Sequence, residues 1–209
     1  KELSMDKMAK EIQPGQFLIY PLNQHIGAPA DAIVAAGDRV LKGQKIAQAN
    51  GFVSANIHSA VSGVVKVIEP RMTVSGQKAL SIVIENDNNY EEVSYQPVKQ
   101  PIEQLKKEEI LERVKDAGIV GMGGAGFPTH VKLAPKNPEQ ITHVIANCAE
   151  CEPYLTSDYR RMVEETEKLV KGMQIVLQLH LMIFLKNGVR IPMKMHLSSP
   201  KPMVNLTTQ

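Results

Sequence analysis

Between residues 13 and 85, apolar positions come in short runs at 17–22, 32–35, 45–49, 60–68 and 80–84, separated by polar and turn residues. The runs are rich in valine and isoleucine, so this stretch reads as a small β domain. Gly37-Asp38, Lys42-Gly43, Asn50-Gly51 and Ser62-Gly63 place turns between the strands, because glycine takes positive φ without steric cost. Residues 86–100 are polar, with Asn86-Asp-Asn-Asn89 and prolines at 97 and 101, and read as a linker. The period then changes. Ile102, Leu105, Ile110, Leu111 and Val114 recur at helical spacing, predicting a helix over 108–116 that stops at Gly118. Residues 141–147 read as a buried strand, and Thr156 or Ser157 as the cap of a helix whose stripe runs through Tyr159, Met162, Val163, Thr166, Leu169, Val170, Met173 and Leu177. Helix, glycine loop, helix, strand, loop and helix imply an α/β layer domain. The expected division is a β-rich region over 1–100, an α/β region over 101–179, and a tail over 180–209 of apolar and basic fragments with prolines at 192, 200 and 202.

Composition narrows the classes. A chain of 209 residues suits two modest domains, each with its own core. With 43% hydrophobic residues, 22% charged and a net charge of +2, nothing points to nucleic acid. Two cysteines exclude a disulfide framework and favour a reducing, cytoplasmic location. The longest nearly apolar run, 175–185, is broken by Gln178 and His180 and is far shorter than the roughly 20 residues of a membrane span. Residues 1–10 show no apolar signal region.

The chemistry concentrates in two places. Five glycines lie between Gly118 and Gly126, and successive backbone N–H groups without Cβ atoms in the way can wrap a phosphate, with the start of the next helix, near Pro128, adding positive dipole. Gly121, Gly123 and Gly126 also satisfy the spacing of the dinucleotide fingerprint, but a helix precedes them where that fingerprint needs a strand. The bland alternative is a tight turn between packed helices. The second cluster, Asn147-Cys-Ala-Glu150-Cys-Glu152-Pro-Tyr154, follows the expected strand, where open α/β sheets put their ligands; alone, its two glutamates would read as solvated loop charges. Cys148 and Cys151 have redox spacing without a thioredoxin-like context, which disfavours redox or metal use. His25 and His58 read as structural histidines of the β domain.

Two resemblances sharpen this picture. Residues 37–47, Gly-Asp-Arg-Val-Leu-Lys-Gly-Gln-Lys-Ile-Ala, followed by Val61-Ser-Gly-Val-Val65, resemble the halves of the barrel-sandwich hybrid of biotinyl and lipoyl domains. The hairpin between them, residues 50–58, has no lysine to carry a cofactor, so a swinging-arm role is not expected; Met193-Lys-Met195 lies outside any such framework. Gly123-Gly-Ala-Gly-Phe-Pro-Thr129, Lys132, Asn147 and Ala149-Glu-Cys-Glu-Pro153, with Gln24-His-Ile-Gly-Ala-Pro29 and Gly51-Phe-Val-Ser-Ala-Asn-Ile-His58 upstream, resemble the C subunit of Rnf-type electron-transport complexes. They are also similar to the flavin-bearing, NADH-oxidising subunit of complex I, except that Ala149 stands where the complex I pattern has aspartate.

The resemblance implies a barrel-sandwich hybrid followed by an incomplete Rossmann-like flavin domain, with FMN and NAD(H) as cofactors. It assigns Gly121, Gly123, Gly124 and Gly126 to a cradle, Lys132 to the phosphate or flavin ring, and Asn147 to the isoalloxazine edge. Phe127 would stack on nicotinamide or adenine, and Glu150 and Glu152 would meet ribose or amide groups. It further implies a peripheral subunit on the cytoplasmic face of a bacterial membrane, partnered by other subunits and by NADH or ferredoxin, with four-iron four-sulfur clusters only in a full-length subunit. The resemblance fades near residue 178, so the chain reads as an N-terminal part of such a subunit with a divergent tail. A rival expectation is a docking scaffold similar to the A subunit of sodium-pumping NADH:quinone oxidoreductase.

Overall fold

The computed structural model describes residues 2–122, 124–141, 143–150 and 152–181, excluding the side chains of 180 and 181. The tail over 182–209, including Met193 to Met195, and the positions Gly123 and Cys151 lie outside the described residues. The chain packs as two units, Gln13–Lys136 and Lys1–Ile12 with Asn137–Gln209.

The first unit is built on seven strands: β1 (Phe17–Pro21), β2 (Asp31–Ala32), β3 (Arg39–Val40), β4 (Lys45–Gln48), β5 (Ile57–His58), β6 (Gly63–Met72) and β7 (Lys78–Asn86). They form two antiparallel sheets, β1-β7-β6-β3 and β2-β4-β5. Period-2 alternation explains the faces: Ile82 and Ile84 on β7 and Val65 on β6 turn inward to meet Val40, Ile46 and Val61, all almost completely buried. Tyr20 and Leu22 complete this core. The sequence pattern places β1, β4 and β7 within a few residues. It misses β3 and β5, two residues each, because so short a run carries no periodicity.

β6 begins at Gly63 instead of residue 60, since residues 59–62 form a serine-rich turn. Ser59 Oγ donates to the Val61 carbonyl, the Ala60 N–H donates to the Tyr20 hydroxyl, and Ser62 Oγ donates to Asp87. The stretch after β7 is also more tied down than a linker. Residues 91 and 93 pair with Lys42 through backbone hydrogen bonds of 2.9 and 3.0 Å, and Tyr90 packs on the core.

α1 (Lys107–Asp116) follows in the same unit and ends as expected. Gly118 takes φ of +64°, its N–H donates to the Lys115 carbonyl and that of Ile119 to Val114, which together make a Schellman stop. α2 (Thr129–Lys132) has Pro128 at its N-cap, one position before the expected first turn.

In the second unit, residues 143–147 pair with no described strand and Ile145 is exposed, so the strand expected over 141–147 is not formed among its described residues. An apolar run makes a strand only where a neighbour takes its backbone hydrogen bonds, and no described segment does so. The single helical stripe over 159–177 is two helices, α3 (Ser157–Glu164) and α4 (Thr166–Leu181). The break falls at Glu165, where the Thr166 hydroxyl bonds back to the Met162 carbonyl, a local competitor to the helical ladder.

Candidate functional site

The glycine segment is a closed loop with a defined neck. The Thr129 N–H donates to the Ile119 carbonyl at 2.9 Å and the Gly121 N–H to the Phe127 carbonyl at 3.0 Å, with Val120 bridged antiparallel to Pro128. Its described glycines divide into two kinds. Gly118 and Gly126 are dictated by backbone geometry: both have positive φ, and a Cβ would stand 2.2 Å from the Asn56 carbonyl oxygen and 2.9 Å from that of Gln24, respectively. Gly121 and Gly124 have no such need. Neither has positive φ, a Cβ on Gly124 would meet nothing within 4 Å, and one on Gly121 would make only ordinary contacts at 3.8 Å. The backbone at Gly124 therefore faces open space that a side chain would fill, and Gly121 is bare where a side chain would be tolerated, which fits a cradle for a cofactor phosphate.

Phe127 is partly exposed beside the neck, and Lys132 ends α2 on the exposed surface with no ion pair among the described residues. Because α2 is only four residues long, its dipole adds little, contrary to the expectation from sequence. A cradle here would have to rest on loop N–H groups and on the lysine.

The barrel holds this loop. Asn56, almost fully buried, accepts from the Ala49 N–H through Oδ1 at 2.8 Å and donates through Nδ2 to the Lys115 and Asp116 carbonyls at 3.3 and 3.1 Å, so the last turn of α1 is capped from the β-domain side. Lys45 on β4 pairs with Asp116. At the other end of the loop, the Ile26 N–H donates to the Ala125 carbonyl at 3.1 Å. Sequence reasoning leaves Asn56 without a role and reads His25 only as a structural histidine; their signal for the loop is membership of the two upstream motifs.

His58 lies at the same junction, its Nδ1 3.3 Å from where a Cβ on Gly118 would stand. Burial, then the Lys45 charge, holds its pKa below the ordinary 6.5, with Asp116 opposing. The unfolded chain thus takes up this proton more readily than the folded one. Stability from neutral His58 is full above pH 6.5 and is lost as pH falls through the lower folded value. Thermal melting from pH 7.5 to 5.5 should therefore drop more steeply for the native chain than for His58→Gln; equal slopes would remove the histidine from the account. The depressed carboxylates act below this window, from 3.8 downward for Asp116 and Asp87 and from 4.5 downward for the glutamates.

The remaining expected site residues belong to the second unit. Asn147 is exposed, its side-chain oxygen accepting the Ala149 N–H at 3.2 Å in a local turn. Glu150 is half-buried: Oε1 accepts the Tyr159 N–H at 3.0 Å, capping the first turn of α3, while Oε2 is buried with no hydrogen-bond partner among the described residues. Thr156 stands at the N-cap but makes no capping bond; its hydroxyl donates to Ser4 instead. Glu152 is exposed. Burial, then the charge of Asp158, pushes the Cys148 thiol up, opposite to what a reactive thiolate needs. Among the described residues no group of metal-ligating side chains converges, and no helix is long and apolar enough to cross a membrane.

A barrel with a lysine-free hairpin, carrying an open glycine loop at the end of a capped helix, defines a β platform that holds a glycine-rich loop by both ends. Residues 1–89 match the RnfC barrel sandwich hybrid domain and residues 114–187 the Nuo51 FMN-binding domain. The chain is 47% identical over 159 residues to the C subunit of the proton-translocating ferredoxin:NAD(+) oxidoreductase complex of Clostridium ljungdahlii, covering 76% of this chain and 35% of that protein. It is 43% identical over 164 residues to the C subunit of the Na(+)-translocating counterpart of Acetobacterium woodii, covering 78% and 37%. Against the C subunit of the ion-translocating oxidoreductase complex of Vibrio cholerae it is 44% identical over 162 residues, covering 76% and 21%. The chain belongs to the family of Rnf-type C subunits, of whose length it spans about a third or less.

Proposed function

We propose that this chain serves electron input in a membrane-associated, ion-translocating oxidoreductase complex, binding FMN and NAD(H) and exchanging electrons with NADH or ferredoxin. The observation that carries the reading is the open glycine loop, where Gly121 and Gly124 remain bare although neither φ nor space demands it. Bound there, FMN would supply conversion between two-electron hydride chemistry and single-electron transfer. The chain's own part is binding and orientation. Loop N–H groups of Gly124 and Gly126, with Gly123, would donate to phosphate oxygens; Gly121, whose N–H is spent on the Phe127 carbonyl, leaves room beside them, and Lys132 supplies the compensating charge.

The family resemblance assigns Phe127 to stacking on nicotinamide or adenine, Asn147 to the isoalloxazine edge, and Glu150 and Glu152 to ribose or amide groups. The unpartnered Oε2 of Glu150 supports a polar ligand for that carboxylate. The relatives' names support the other subunits of such a complex as partners, and the family resemblance implies four-iron four-sulfur clusters in longer subunits. The β region over 1–100 and a Rossmann-like flavin region over 101–179 would together stand on the cytoplasmic face of the membrane.

FMN titration followed by flavin fluorescence tests it. Binding should be saturable, weakened about tenfold by Lys132→Ala, which removes a charge-assisted contact. Gly124→Val should abolish binding with melting unchanged, because that Cβ meets no protein atom within 4 Å. Equal affinity in both variants, or no binding by the native chain, would overturn the flavin reading in favour of a docking scaffold.

A further inference from the structure

The two motifs upstream of the glycine loop, residues 24–29 and 51–58, meet each other before they meet the loop. The Ala28 N–H donates to the Val53 carbonyl at 3.0 Å, and Gly27, at φ of +97°, lies so close that a Cβ would stand 2.0 Å from that oxygen. His25 is the second tie. It is nearly fully buried, its Nε2 accepts the Ala55 N–H at 3.2 Å, and its Nδ1 faces the Ile26 carbonyl at 3.2 Å. One arrangement satisfies both: a neutral ring with its proton on Nδ1 donates to Ile26 and accepts from Ala55. The two joined loops then reach the glycine loop at both ends. Asn56 and the carbonyl behind it hold Gly118 and the last turn of α1, while Gln24, His25 and Ile26 hold Ala125 and Gly126.

We propose that these two barrel loops, the β1–β2 connection and the β4–β5 hairpin, form a two-point clamp that sets the spacing of the glycine loop's ends, with Asn56 and His25 as positioning residues for the cofactor cradle. In carrier domains of this architecture the tip of the hairpin carries a cofactor on a mobile lysine; here the same place is a fixed abutment. The reason lies in the loop itself. Between Gly121 and Phe127 the only backbone tie to the rest of the unit, among the described residues, is Ala125 to Ile26, so its shape depends on what grips its ends. The consequence for FMN rests on the function proposed above, whereas the mechanical clamp does not.

Hydrogen exchange and FMN titration on the full chain separate the two. Asn56→Asp is isosteric and still accepts from Ala49, but it presents oxygen to the Lys115 and Asp116 carbonyls where the amide donated. The expected result is exchange about tenfold faster at the Gly121 and Thr129 amides, unchanged exchange in β6 and β7, and FMN binding weakened about tenfold. Should β6 and β7 also open, the His25 pair decides. His25→Asn withdraws the acceptor from Ala55 and should loosen the loop, and His25→Gln, which restores an acceptor, should tighten it again. Faster loop exchange in a chain that binds no FMN would sustain the clamp and refute the flavin site. Native FMN affinity and native loop exchange in both Asn56→Asp and His25→Asn would refute the clamp.

Discussion

Gly118→Ala should destabilise the first unit by about 3 kcal/mol, while Gly124→Ala, in the same loop, should leave melting nearly unchanged. Two costs act together at residue 118. Its φ of +64° disfavours any residue with a Cβ by roughly 1–2 kcal/mol, and that Cβ would stand 2.2 Å from the Asn56 carbonyl oxygen, an overlap of backbone with backbone worth about another 1–3 kcal/mol. The clash cannot be relieved by a rotamer change, because the atom met is a backbone carbonyl, and the three hydrogen bonds of the Asn56 side chain help to hold that backbone in place. At Gly124 neither cost applies. Denaturant unfolding of the two variants beside the native chain checks the contrast. Equal midpoints for Gly118→Ala and Gly124→Ala would mean that the helix end and the barrel are not packed as described.

Ile84→Ala should cost about 2–5 kcal/mol, the usual range for truncating a fully buried branched side chain in a core that relaxes only in part. Ile84 is fully buried on β7, the central strand between β1 and β6, where it pairs with Leu18 on one side and Val65 on the other. Its removal leaves a void shared by both sheets. The exposed Leu80, on the same strand, is the control, and Leu80→Ala should fall within about 0.5 kcal/mol of the native chain. Comparable losses for the two would show that the barrel's core is centred elsewhere.

The elements legible along the chain share one property: their signal is local. β4 and β7 announce themselves by alternation and bounding turns, and α1 by its stripe and by the glycine that stops it. The strand expected over 141–147 shows the opposite case. Its apolar composition is plain, but a strand exists only through a partner's hydrogen bonds, and composition does not name the partner. α3 and α4 read as one helix because period 3.6 runs through Glu165 unbroken, whereas the back-bonding hydroxyl of Thr166 leaves no mark on periodicity.

The candidate site divides along the same line. Motif order is enough to single out the glycine loop, Lys132 and the cluster around Asn147 and Glu150, and to place the chain among Rnf-type C subunits, since several short motifs in a fixed order are far more specific than any one. Which glycines answer to backbone geometry and which leave room for a ligand cannot be read from one-dimensional spacing. Gly118 and Gly124 look alike in a string; they differ because Asn56 stands against one and open space against the other. Likewise Asn56 and His25 become supports of the loop only through contacts across 59 and 30 residues of chain. Hydrophobic period and turn chemistry act between near neighbours and so are written along the chain, whereas steric room and the satisfaction of buried polar groups are settled where distant segments meet.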